Sequence, residues 1–431
     1  MFRYLHLSLI FILVLLGCST SSDSEKFEYT ACENGTSEGY PCSNIDFYAH
    51  LTPEDLGGDR LNDIWGWIDP ETGREYALVG LTDGISFVDV SNPAEPVVVG
   101  KLLESTVDQQ QKHPPLLAHP EEGEFKDASD WRDMKVYQNT MYVVSEQGTH
   151  GMQVFDLTRL RNVQNPPEEF REDYLYSRFG NAHNIAINEE SGYAYVIGAT
   201  TGEICASNGG LHIINLHENP MQPTYAGCHV EPDAGGVIRD GYIHDTQCVI
   251  YNGPDSRYSD EEICFSSAEL TFLISGVTDK ENPVTISNTA YEGAEYSHQG
   301  WLTEDQRYFF MNDELDEIRN GINTRTLIWD VMNLEEPELI GYYEHDTIAV
   351  THNLYIRGDL MYQANYTAGL RILDVSSPLP QDVRTLGYFN TTPLTNQPVF
   401  AGLWSVYPYL HGDKILVSDI ENGLFVLRYS R

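Results

Sequence analysis

The stretch THNLYIRGDLMYQANYTAGLRILDVSSP, residues 351–378, decides the fold. It holds three short runs rich in β-branched and aromatic residues, HNLYIRG, DLMYQANY and GLRILDV, parted by turn-forming residues, and VRTLGYF (Val383–Phe389) adds a fourth. Such spacing predicts four consecutive antiparallel strands. The third run recurs as GISFVDVSNP (Gly84–Pro93), GMQVFDLTRL (Gly151–Leu160), GLHIINLHENP (Gly210–Pro220), LTFLISGVTDKENP (Leu270–Pro283), TRTLIWDVMNLEEP (Thr324–Pro337) and GLFVLRYSR (Gly423–Arg431). Runs apolar on both faces belong to strands sandwiched between other sheets.

Seven copies of a four-strand unit predict an all-β chain, a seven-bladed β-propeller. The seventh copy reaches only its third strand at Arg431, and SNIDFYAHL (Ser43–Leu51) has the pattern of the missing fourth. The N-terminal segment is therefore expected to supply the outer strand of the last blade, closing the ring and removing an open edge. Separate β-sandwiches would need linkers, which do not occur after residue 43. The propeller is assigned to residues 43–431.

The N-terminus reads MFRYLHLSLIFILVLLGCST, with one arginine and an apolar run, Leu7–Leu16, too short to span a bilayer. Residues 1–17 read as a signal peptide. Leu15-Leu16-Gly17-Cys18 resembles a bacterial lipobox, which makes Cys18 the lipid anchor. Each buried acyl CH₂ contributes ~0.8 kcal/mol, so two or three chains hold firmly to a membrane. Residues 18–42 are expected to form a lipidated tether with a small disulfide loop. The expected address is a bacterial outer membrane or cell surface, reached by the general secretory route. The six other cysteines, an even number in an exported chain, suggest three disulfides. Proximity in sequence pairs Cys32 with Cys42, Cys205 with Cys228 and Cys248 with Cys264. A formal charge of −40 disfavours nucleic acid and anionic lipid as partners and favours cations, basic proteins or neutral sugars.

The repeated GLxIxDVSxP strand resembles the LVIVD repeat. With DIWGW (Asp63–Trp67), HDTQCVIYNGPDSRY (His244–Tyr258) and HQGWLTEDQRYFFMNDELDE (His298–Glu317), it makes the mature chain similar to the bacterial choice-of-anchor B family. That resemblance implies a propeller-like body attached to the cell surface, and brings no established reaction with it.

Four of the expected innermost strands are headed by a histidine: His183, His244, His298 and His352. Since first strands line the channel of a propeller, the four should converge on one mouth as an arc. Blades 1, 2 and 7 offer Asn62-Asp63, Arg132-Asp133 and Trp404-Ser405 there instead. Loops joining second and third strands open on the same face and bring Asp83, Glu146, His150, Glu203, Asp313, Glu314, Asp316, Glu317, Asp419 and Glu421. Three readings stay open. Each histidine could hydrogen-bond the backbone of a neighbouring blade, with Asn184, Asp245, Gln299 or Asn353 completing the turn. The four could hold a transition metal, with Asp313 or Glu314 as a base, or the Asp313–Glu317 loop could bind calcium. The mouth could also take a protein or carbohydrate ligand against Trp404 or Trp65. The patterns of a nucleophile elbow, a P-loop and a dinucleotide fold are absent from the sequence. The residues therefore point first to a non-catalytic surface-anchored binding or adhesion scaffold. The alternative is an extracytoplasmic metal-dependent oxidoreductase, lyase or hydrolase.

Overall fold

The computed structural model describes residues 27–104, 130–146, 150–202, 205, 208–392 and 396–430. The expected signal peptide and Cys18 lie outside these residues. No described helix is long and apolar enough to cross a membrane.

Seven antiparallel sheets form the body, and their innermost strands are Leu61–Ile68, Arg132–Tyr137, Asn184–Asn188, Asp245–Ile250, Ser297–Leu302, Leu354–Arg357 and Leu403–Tyr407 in blades 1 to 7. The last blade is closed as expected, because Ile45–Leu51 pairs with Gly423–Tyr429. Second and third strands are almost wholly buried, as in Glu262–Ala268 and Thr271–Gly276, whereas the fourth strand Glu338–Glu344 is half exposed. That gradient explains the apolar character of the repeated third strand. Facing sheets bury both of its surfaces, with Phe272 stacked on Phe309 at 4.8 Å between blades 4 and 5.

The DVSxP ending also has a local cause. Asp89, Asp156, Asp330 and Asp374 each accept a hydrogen bond from the amide two residues on, at 2.9 to 3.1 Å, which turns the chain towards the fourth strand. In six blades the pairing of the two outermost strands slips by one residue, for example at Phe87/Val88, Ile274/Ser275 and Ile372/Leu373. A bulge at this point increases the twist of the outer strand.

Two features depart from the simple repeat. Glu168–Phe170, in the third-to-fourth connection of blade 2, adds a parallel fifth strand to blade 1 beside Val97–Leu103. Over its described residues, the segment expected to be a tether is docked. Thr36–Ser37 and Tyr40–Ser43 form a hairpin whose Cys42 and Ser43 pair with Phe389 and Tyr388 of blade 6. Tyr40 and Cys42 sit against the Phe389 and Phe425 cluster, so burial of apolar surface holds this hairpin down. The Cys32–Cys42, Cys205–Cys228 and Cys248–Cys264 disulfides are all formed.

Candidate metal centre at the channel mouth

The four strand-heading histidines do meet. Ring centroids of His183 and His244 lie 4.3 Å apart, His244 and His298 4.2 Å, and His298 and His352 4.4 Å. Trp404 of blade 7 continues the arc, 4.7 Å from His352. Blade geometry explains this: each histidine stands at or just before the start of its blade's innermost strand, so consecutive blades place consecutive rings side by side.

In three of the rings Nδ1 has a defined partner. His244 Nδ1 lies 2.9 Å from the His298 carbonyl and His352 Nδ1 lies 2.5 Å from the Trp404 carbonyl, both on the next blade. A carbonyl can only accept, so Nδ1 carries the proton and Nε2 presents a lone pair. His183 Nδ1 instead meets the Glu146 carboxylate at 2.5 Å. Glu314 enters from the loop after the second strand of blade 5. Its two oxygens lie 3.5 Å from Nε2 of His298 and of His352, and Tyr366 donates its hydroxyl to it at 2.7 Å. Ligand atoms of His244, His298 and Glu314 all fall within 4.8 Å of one another.

The site is buried, with His244, His298, His352 and Glu314 each no more than 5% exposed. Burial pushes the Glu314 carboxyl up to about 8, with Tyr366 and His183 opposing. Burial likewise pulls His352 down to about 4, against the pull of the Trp404 carbonyl. On His183 burial disfavours the charge, yet Glu146 outweighs it and holds the pKa above the ordinary value. Two imidazoles and a carboxylate form a donor set suited to zinc or iron rather than to calcium, which prefers oxygen throughout.

Other residues expected at the mouth have other tasks. Asp313 is not a base beside the arc: its carboxylate accepts from Tyr291, Glu295 and Tyr296, each at 2.8 Å. Asp316, at the start of the short helix Asp316–Asn320, pairs with Arg325 on the following strand. Asp83 pairs with Lys101 at the surface, His150 contacts Arg132 and Gln153, and Asp419 accepts from Thr391. Glu203 lies outside the described residues. Asp63 and Asp133 are drawn along the axis to Lys135, at 3.1 and 2.5 Å. Trp65 does not share the mouth with Trp404; it lines the channel beyond Lys135. Sequence reasoning missed Tyr366 and Lys135, because neither stands at the repeated position. The residues after the histidines act as blade clamps: Gln299 accepts from Leu354 N at 2.8 Å, and Asn353 donates to Ser405 at 3.2 Å.

Residues 74–103, the second to fourth strands of blade 1, match the LVIVD repeat. The chain carries an LVIVD repeat. Comparison with curated proteins finds no match. Among solved structures, Kuenenia stuttgartiensis hydrazine synthase aligns over 88% of this LVIVD-repeat chain and 97% of its own, at 12% identity and a TM-score of 0.52. A protein from Lactobacillus plantarum aligns over 84% and 89%, at 11% identity and a TM-score of 0.51. The β-propeller domain of Myceliophteria thermophila Cps50 (Swd1) covers 82% and 93%, at 11% identity and 0.48. At such identities the two likenesses with TM-scores of 0.51 and 0.52 show the fold alone.

Proposed function

We propose that this protein is an exported metal-binding propeller, held at a cell surface through Cys18, whose channel mouth takes one divalent first-row transition-metal ion. His244, His298 and Glu314 are the primary ligands, and His352 and His183 complete the arc. One observation carries this reading: ligand atoms of His244, His298 and Glu314 fall within 4.8 Å of one another, while the Nδ1 atoms of His244 and His352 face blade carbonyls that fix their rings. Backbone clamping and metal binding are therefore two functions of one ring, and the first orients the second. Glu146 plays the orienting part for His183. Three disulfides fit an oxidising compartment.

The bound ion supplies Lewis acidity or an attachment point for a ligand donor atom. The chain's own residues exclude water, fix the imidazole tautomers and, through Tyr366, orient Glu314. The experiment is elemental analysis of residues 27–431, purified without chelator or histidine tag, beside His298→Ala/Glu314→Gln. About one equivalent of metal in the parent and none in the folded variant is expected. No metal in either protein, after exposure to zinc, iron and copper salts, refutes the proposal.

A further inference from the structure

On the far side of Lys135 the channel widens into a cavity of about 510 Å³. Five aromatic side chains from four blades wall one side of it: Trp65, Trp301, Tyr355, Tyr407 and Tyr409. They touch edge to face, with Trp65 4.9 Å from Tyr407, Trp301 4.9 Å from Tyr355 and Tyr407 5.5 Å from Tyr409. The Tyr409 hydroxyl is spent on the Ile356 carbonyl at 3.0 Å. The opposite side, from blades 3 and 4, carries Asp245, Glu189 and Glu190.

Among the described residues Lys135 is the one amine lining this space, and Asp63 and Asp133 pair with it from behind. Its ammonium stands 4.5 Å from the Trp65 ring centroid, so the aromatic wall already stabilises a positive charge. Aromatic faces attract weakly hydrated cations through the ring quadrupole, and Glu189 and Glu190 at the rim add a negative field. A hydrated metal ion gains little from such walls, and the volume is that of a small-molecule pocket, too small for a folded protein.

We propose that this second, aromatic mouth binds a small organic cation, a quaternary ammonium or methylated amine, independently of the histidine centre. The onium group lies among Trp65, Trp301 and Tyr407, facing Glu189 and Glu190. Neither covalent chemistry nor the metal ion is needed.

The test is isothermal titration of residues 27–431 with choline and with its uncharged isostere 3,3-dimethyl-1-butanol. Choline is expected to bind at least about tenfold more tightly, about 1.4 kcal/mol. Trp301→Ala should weaken choline about tenfold. Glu189→Gln/Glu190→Gln, at the exposed rim where folding is not at risk, should weaken it about threefold, with a shallower salt dependence. His298→Ala, which removes the metal site, should leave choline binding unchanged, so that the two proposals fail separately. Equal affinity for the isostere, tighter binding of glucose than of choline, or no binding of choline would each overturn the proposal.

Discussion

Replacing Lys135 with methionine removes the ammonium held between Asp63 and Asp133 while keeping the volume of the stem. Its nitrogen lies 2.5 Å from Asp133 and 3.1 Å from Asp63, and all three side chains are no more than 12% exposed. Leaving a buried charge without its partner costs about 3–5 kcal/mol. Against a total stability of roughly 5–15 kcal/mol, that is a large fraction. With a urea dependence of about 3 kcal/mol per molar, the unfolding midpoint should fall by roughly 1 to 1.7 M. The direction with pH follows from Asp133, which burial raises well above the ordinary carboxylate range despite Lys135. A carboxyl raised in the folded state contributes stability that is complete below its unfolded value of about 3.9 and is lost as pH rises through the folded value. Lys135 also holds Asp63 below the ordinary range in spite of its burial; without it the folded carboxyls climb, so the gap between variant and parent should be wider at pH 8 than at pH 5. Adding Asp133→Asn to Lys135→Met should recover part of the loss, since the amide oxygen can still accept from Ile185 N as Asp133 does at 2.9 Å. Urea titrations followed by tryptophan fluorescence at both pH values decide it. A Lys135→Met midpoint within about 0.3 M of the parent at pH 8, taken with the same slope, would refute the claim that the axis stores uncompensated charge.

Three further outcomes are expected. Starting the chain at residue 53 strips Ile45–Leu51 from Gly423–Tyr429 and uncovers an unpaired strand edge, so the product should elute as aggregates in size-exclusion chromatography where the parent is monodisperse. Gly66→Ala places a methyl group where the Tyr407 ring stands; overpacking costs about 1–3 kcal/mol, read as a lowered melting temperature, and narrows the aromatic cavity. Glu146→Gln removes the carboxylate that holds the His183 pKa up, so its imidazole resonances in metal-free protein should titrate at lower pH than in the parent.

Strand identity was legible because its causes are local. The Asp374 turn, the apolar face pattern of Gly369–Val375 and the proline after it act within ten residues of chain, and their repetition counted the blades. The closing strand could be found because the seventh unit lacked a partner that Ser43–Leu51 could supply. The disulfides followed from proximity, each joining cysteines 10 to 23 residues apart. The histidine arc was legible because a repeat position maps onto a ring position.

The docked hairpin at Tyr40–Ser43 was not legible, since its hold on blade 6 comes from Phe389 and Phe425, more than 340 residues away. Glu314 looked like one of four acidic residues in a loop, and only folding separates it from Asp313, whose oxygens are consumed by amides of the same blade. Nor could Lys135 be seen as the counter-ion of Asp63, 72 residues distant.

The sequence by itself determined the propeller, its seven units and the four histidines at one mouth, because periodic burial and turn chemistry repeat along the chain. Only the tertiary structure decided which nitrogen of each histidine faces the axis, which carboxylate joins them, and that an aromatic cavity lies behind Lys135. Those depend on directions and distances between blades, which a one-dimensional pattern does not carry.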